Sequence, residues 1–269
     1  MKRILFSVFM LMFLIAIPNV SAKSYGWGFK RNSENKPPEV GFYANEIDGT
    51  SSFYIGDTSK KTVYLTFDAG YDNGYMSGIL KTLREKNVKS TFFVTGDFVT
   101  RESELLKKIV EDGHIVGNHT WGHKDITTLT EDELANELVK VEEKYYELTG
   151  EEIQKYFRPP EGTFNKESLM MVKKLGYTTF FWSVAFKDWE DLNRGKDLAY
   201  KSIVENLHNG AIILMHTVSQ DNVDALPMII DSIREEGYTI ENLDDLMNSK
   251  EFPFEFYYNL PWLSLLNKV

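Results

Sequence analysis

Six residues of this chain have the types and spacing that chemistry needs: Asp68, His119, His123, Arg158, Asp188 and His216. Each sits in a short polar cluster behind an apolar, strand-like run. The clusters read Thr66-Phe67-Asp68-Ala69-Gly70, His119-Thr120-Trp121-Gly122-His123, Arg158-Pro159-Pro160-Glu161-Gly162, Asp188-Trp189 and Leu214-Met215-His216. Carboxylates, imidazoles and a guanidinium brought together are the parts of a hydrolytic metal site. Ligands of α/β barrels bind beyond the C-terminal ends of the strands, where these clusters fall.

On a helical turn, residues four apart face the same side, so His119 and His123 are placed to hold one divalent ion, zinc or similar, at about 2.0–2.1 Å. The chain has five histidines, and two fall in this pair. As isolated residues they would read as solvated loop histidines; three other clusters at equivalent strand ends favour the metal. Asp68 is placed to act as general base toward a water polarised by that metal. Its bland alternative is a turn-forming or capping aspartate, a role for which Asp72 competes. Arg158, aimed by the rigid Pro159-Pro160, would keep Asp68 ionised and oriented. The backbone N–H of Glu161 or Gly162 is a candidate oxyanion donor. His216 is placed to protonate a leaving amine, with Asp188 fixing its tautomer and raising its basicity. Alone, it would read as a satisfied core histidine. Trp189 and Leu214 suit the walls of a small acyl or sugar pocket, with Pro160, Glu161 and Gly162 lining its turn.

These clusters require a regular scaffold, and one is legible from Lys61 onward. Apolar runs at Thr62–Phe67, Thr91–Thr95, His114–Gly117, Lys155–Phe157, Tyr177–Val184, Ala211–Met215 and Tyr238–Ile240 alternate with helical stretches. The helices are expected over Tyr75–Asn87, Glu104–Glu111, Thr130–Gly150 with a Thr130/Glu133 capping box, Asn165–Gly176, Asp197–Gly210 and Asn222–Gly237. Seven strand-helix units predict a parallel sheet closed into a distorted (β/α)7 barrel, with an open doubly wound sheet as the alternative. Residues 23–60 read as an irregular N-terminal arm, 61–247 as the catalytic domain and 248–269 as an aromatic tail.

Residues 1–22 carry a basic start, an apolar stretch and Val20-Ser21-Ala22, the pattern of a cleaved export signal or an uncleaved anchor. They hold two of the 30 Lys and Arg residues and none of the 40 acidic ones, which leaves the remainder at a net charge of −12. So acidic a surface argues against nucleic acid and leaves neutral polymers open. With no cysteine, an exported chain is held by its core alone.

Taken together, the five clusters resemble the polysaccharide deacetylases, the carbohydrate esterases with the NodB-homology domain, over about Lys61–Met247. The resemblance implies a distorted (β/α) barrel, with Asp68 as base, Arg158 as its partner, His119 and His123 as metal ligands, Asp188 and His216 as the acid side, and Trp189 and Leu214 as the acetyl pocket. Trp27-Gly28-Phe29-Lys30-Arg31-Asn32, Tyr71-Asp72-Asn73-Gly74-Tyr75, Phe181–Phe186 and His216–Asn222 look like the family's sporulation branch. That likeness implies removal of acetyl from N-acetylmuramic acid in peptidoglycan glycan strands, on the way to the muramic δ-lactam of spore cortex. It further implies a monomer in the cell envelope, within the forespore intermembrane space, and an amidase partner that first strips peptide from the substrate.

The family's first motif usually has a second aspartate that binds the metal, where this chain has Ala69. The sporulation branch generally lacks it too. Asp68 is therefore expected to contact the metal, directly or through water. Glu161 stands where an aromatic is usual, and Lys124, Lys187 and Arg194 are candidate cations for the muramic carboxylate. Chitin-like or O-acetylated substrates, and a glycan-binding protein without catalysis, are the competing expectations.

Overall fold

The computed structural model describes residues 23–32, 34–189 and 194–249. The expected signal at 1–22 and nearly all of the expected tail lie outside the described residues. Numbering the barrel strands and the main helix after each, the chain runs β1 (Thr62–Ala69), α1 (Met76–Glu85), β2 (Thr91–Val94), α2 (Ser103–Glu111), β3 (Ile115–Asn118), α3 (Glu131–Thr149), β4 (Tyr156–Phe157), α4 (Lys166–Lys174), β5 (Thr178–Phe180), α5 (Lys196–Val204), β6 (Ala211–His216), α6 (Gln220–Glu235), β7 (Thr239–Glu241) and α7 (Leu243–Asn248). The sheet is parallel, with β1–β5 adjacent in order and β6 and β7 both pairing with β1. Val184, just past β5, bridges to Ile213 of β6, curling the sheet into a distorted barrel.

β1 shows how the sequence builds two cores. All eight of its residues are buried. Val63, Leu65, Phe67 and Ala69 face an outer layer with α1, α5 and α6, whose apolar stripes include Ile79, Leu83, Ile203, Ile229 and Ile233. Tyr64 joins Phe93, Tyr156, Phe180 and Ile212 in the barrel interior. By strand alternation Thr66 and Asp68 share that interior face, so the carboxylate emerges where the apolar filling stops.

The capping expectations hold where a side chain can reach an amide. Thr130 and Glu133 form the capping box, Asn165 caps α4 against Ser168, and Gly150 ends α3 at φ 72°. Asp197 is not a cap; Gly195 precedes α5, which ends at Val204, well short of Gly210. A further helix, Gly96–Arg101, follows β2, where none was expected. The fifth strand is three residues long instead of eight, for a reason that lies in the site. The arm is less irregular than its composition suggests: Tyr25–Gly26 pairs with Thr163–Phe164, and Ser52–Phe53 adds a parallel strand to β5. Trp27 stacks on Phe181 at 4.3 Å, fixing the arm to the barrel side.

Candidate active site

Strand register brings the first and last clusters together. β1 and β6 pair with Asp68 opposite His216, and Arg158 follows β4 with its backbone N–H donating to the Asn118 carbonyl at 3.1 Å. His119 follows β3 directly, its N–H bonded to the Val94 carbonyl of β2. Four strand ends thus converge on one rim.

Arg158 is fully buried, and every end of its guanidinium is occupied. Nη1 donates to Asp68 Oδ1 at 2.8 Å, Nε to the Phe180 carbonyl at 2.9 Å and Nη2 to that of Phe181 at 3.3 Å. The faces of Phe93 and Trp182 lie 4.3 and 5.6 Å from it. Carbonyls turned toward a guanidinium are lost to the sheet ladder, which explains why β5 stops at Phe180. Burial works against ionisation of Asp68, but Arg158, with help from His119 and His216, outweighs it and holds the carboxyl below its ordinary range.

His119 is buried, and its Nδ1 lies 2.8 Å from the Arg158 carbonyl. A carbonyl only accepts, so Nδ1 carries the proton and Nε2 the lone pair. Burial lowers the pKa of the imidazole to about 4, against the pull of Asp68, so it is neutral at pH 7. Its Nε2 faces Asp68 Oδ2 at 3.6 Å. The two acceptors thus face each other with no proton between them, at a separation that suits two ligands sharing one ion about 2.0–2.2 Å from each. The His123 ring lies 4.9 Å from that of His119, edge on, and is exposed. The residues fit a divalent cation by their donor chemistry, although among the described residues no three His, Cys, Asp or Glu groups are close enough to hold one unaided. Ala69 is buried and adds no donor.

The helical turn expected for His119–His123 is absent. The segment is irregular, with Thr120 at φ 65° and His123 at φ 50°. Gly96 packs so closely on it that an added Cβ would meet Trp121 at 2.3 Å. Two residues overlooked in the sequence hold its shape. Asn118 Oδ1 accepts from Thr120 N–H at 2.9 Å, and buried Glu137 accepts from Gly122 N–H at 2.6 Å while pairing with Lys124 at 2.8 Å. Glu137 had a signal: it interrupts the apolar stripe Leu134, Leu138, Val141 of α3.

On the opposite side, His216 Nδ1 lies 2.7 Å from Asp188 Oδ1, and Asp188 Oδ2 accepts the His216 backbone N–H at 2.7 Å. Burial resists protonation of His216, but Asp188 outweighs it and raises the pKa above 6.5. Trp189 is 45% exposed, its ring 4.8 Å from that of His216. Leu214 is buried on β6, and Pro160 and Gly162 are buried in the turn beside Arg158. Glu161 is exposed at φ 56°. Gly162 N–H donates to the Pro159 carbonyl at 3.0 Å, so of the two candidate oxyanion donors the Glu161 amide is the one left to substrate. Asp72 takes the bland role, accepting from Tyr75 and Met76 N–H at the start of α1. Of the proposed cations, Lys124 is paired with Glu137, while Arg194 lines a small cleft with Asp188 and Asp221.

A parallel barrel with this rim is the frame of the polysaccharide deacetylases, and the chain belongs to that family of hydrolases. The family's description, polysaccharide deacetylase, matches residues 55–180. The chain is similar to the peptidoglycan-N-acetylmuramic acid deacetylase PdaA of Bacillus subtilis, 46% identical over 238 residues, 88% of this chain and 89% of the relative. The solved structure of that protein, a family 4 carbohydrate esterase, superimposes with a TM-score of 0.82 over 85% of this chain and 99% of its own. A family 4 pseudoenzyme from Bacillus anthracis superimposes with a TM-score of 0.69 at 31% identity, covering 73% of this chain and 69% of that one.

Proposed function

We propose that this protein hydrolyses the N-acetyl group of peptide-free N-acetylmuramic acid in peptidoglycan, on the way to muramic δ-lactam in spore cortex. The observation that carries the reading is the pairing of Asp68, its pKa lowered by Arg158, with His216, its pKa raised by Asp188, across one rim, base opposite acid. The likeness to the Bacillus subtilis muramic acid deacetylase supports the substrate. His119, His123 and Asp68 would hold a divalent ion, zinc or similar, with solvent or substrate completing its shell. Once bound, that ion would polarise the acetyl carbonyl and acidify an attacking water. Asp68, held by Arg158, takes the proton from the attacking water, and the Glu161 backbone N–H donates to the developing oxyanion. His216 Nε2 gives a proton to the departing amine while Asp188 holds Nδ1. Trp189 and Leu214 bound the acetyl group. The protein works as an exported monomer in the cell envelope, in the forespore intermembrane space, after an amidase has stripped peptide from the strand; it needs no nucleic acid.

Acetate release from peptide-free glycan strands, compared with chitin oligomers, tests this directly. Strands are the expected substrate; Asp68→Asn, His119→Ala or a chelator should abolish release, and full activity in either variant refutes the mechanism. Because position 69 lacks a carboxylate and a pseudoenzyme exists among the relatives, glycan binding without turnover is the competing result. It would be seen as saturable binding with no acetate under any added divalent metal.

A further inference from the structure

Asn222 is fully buried in the first turn of α6 and belongs to none of the five sequence clusters. Its backbone N–H donates to Ser219 Oγ at 3.2 Å, the helix cap. In a Ser-capped helix the side chain at this third position commonly turns back to the cap. Here it turns toward the acid pair instead. Asn222 Nδ2 donates to Asp188 Oδ2 at 2.6 Å and to the His216 carbonyl at 2.8 Å.

Both amide hydrogens are therefore directed at acceptors, and Asn222 Oδ1 has no partner among the described residues. That asymmetry fixes the amide's orientation. Reversed, its oxygen would sit against a carboxylate and a carbonyl, two acceptors without a proton between them. With Asn222 in place, Asp188 accepts from three donors: the His216 backbone N–H, the Asn222 amide and the His216 ring. A carboxylate held at both oxygens cannot swing about its own axis, so it meets Nδ1 in one geometry and leaves Nε2 to face the rim.

We infer that Asn222 is a positioning residue of the proposed deacetylation, clamping Asp188 so that it holds Nδ1–H of the His216 ring and leaves the Nε2 proton aimed at the rim. The inference rests on the reading of His216 as the acid. It assigns Asn222 no contact with substrate.

Asn222→Asp keeps the volume but removes the donor, and Asn222→Leu removes it without adding charge. Both are expected to lower kcat for acetate release by about tenfold to a hundredfold, the range seen when outer partners that orient an imidazole are removed. KM should stay within about twofold, because the lost interaction orients the acid and does not bind the sugar. Nitrogen-15 spectra of the imidazoles, with His216 assigned through His216→Gln, should show the pinned Nδ1–H signal in the native protein and its broadening or loss in both variants. A residue that merely fills space predicts otherwise: a native-like Asn222→Asp and an unchanged His216 spectrum. Native kcat in Asn222→Asp, or lowered kcat with an unaltered His216 signal, overturns the inference. If the native protein releases no acetate from any glycan, the deacetylase reading fails by itself. The spectra then decide alone, and unaltered His216 signals in both variants overturn the role of Asn222.

Discussion

His119 follows β3 and His216 ends β6, both at one rim and each with Nδ1 within 2.8 Å of an oxygen, yet their surroundings drive them in opposite directions. Burial disfavours the charged ring at both. Both rings also feel a carboxylate, but only at His216 does it hydrogen-bond the ring and outweigh burial. His119 meets a neutral backbone carbonyl, with a second imidazole close by, and its pKa falls to about 4. His216 meets the Asp188 carboxylate, and its pKa rises. One fold therefore makes an unprotonated nitrogen suited to a metal and, across the same rim, a ring of raised proton affinity suited to a leaving group, with a carboxylate in place of a carbonyl at the hydrogen-bonded nitrogen.

The sharpest way to break this contrast is Asp188→Asn. The amide keeps the shape but withdraws the charge that sustains the His216 proton, so kcat for acetate release should fall by roughly 10²–10⁴, the usual scale of general acid–base catalysis. A loss below tenfold, measured on glycan strands, would mean that the carboxylate does not set the acid. Arg158→Met attacks the other side. It leaves Asp68 buried without its cation and orphans the Phe180 and Phe181 carbonyls. Breaking one partner of a buried pair costs about 3–5 kcal/mol, measurable as a lowered urea midpoint, whereas Asp188→Asn, whose amide turns one accepting oxygen into a donor, should lower it less, by the cost of an unpaired buried donor, about 1–3 kcal/mol.

The contrast was only half legible in the sequence. The strand-helix alternation, the capping box at Thr130 and the convergence of Asp68, Arg158, His119, Asp188 and His216 all follow from local pattern, because each residue closes or follows an apolar run. What escaped depends on contacts remote in sequence. The eight-residue apolar run at Tyr177–Val184 has every mark of a strand, but carbonyl contacts from a guanidinium some twenty residues earlier end it at Phe180. The spacing of His119 and His123 suits a helix, but left-handed residues and the Glu137 carboxylate of α3 shape the segment instead. Side chains acting on side chains, as Asn222 does on Asp188, leave little periodic trace.

Opposite proton affinities also separate the two histidines by pH. Because the His216 pKa is raised, its proton is held in the native state beyond pH 6.5; activity that needs it is full at lower pH and declines as pH climbs through the raised value. In Asp188→Asn the decline should begin at lower pH. His119 has the reverse sign. Between about pH 4 and 6.5 the unfolded chain binds a proton there that the native chain does not, so metal-free stability rises with pH across that window. His114, also lowered to about 4, acts in the same direction. The specific check is therefore His119→Gln: the gain in urea midpoint from pH 5 to pH 7 should shrink and not vanish, and an unchanged gain would remove His119 from the account.

The smallest effect expected concerns Glu137, which touches neither imidazole. Its carboxylate holds Gly122 N–H and Lys124 Nζ, and its carbonyl accepts from Trp121 N–H, so one residue of α3 grips the chain on the His119 side of His123 and just beyond it. Asp188 is the counterpart on the acid side, but there the carboxylate meets the ring itself and sets its charge. Glu137 sets only where an exposed ring sits. Glu137→Ala should therefore weaken zinc binding by about tenfold, at the low end for outer partners of metal-ligating histidines, as read by calorimetry on the metal-free protein. The pH dependence of acetate release at saturating zinc should not move, because His216 and Asp188 are untouched. A shifted pH profile would show that the two sides of the rim are coupled, and the division drawn between them would fail.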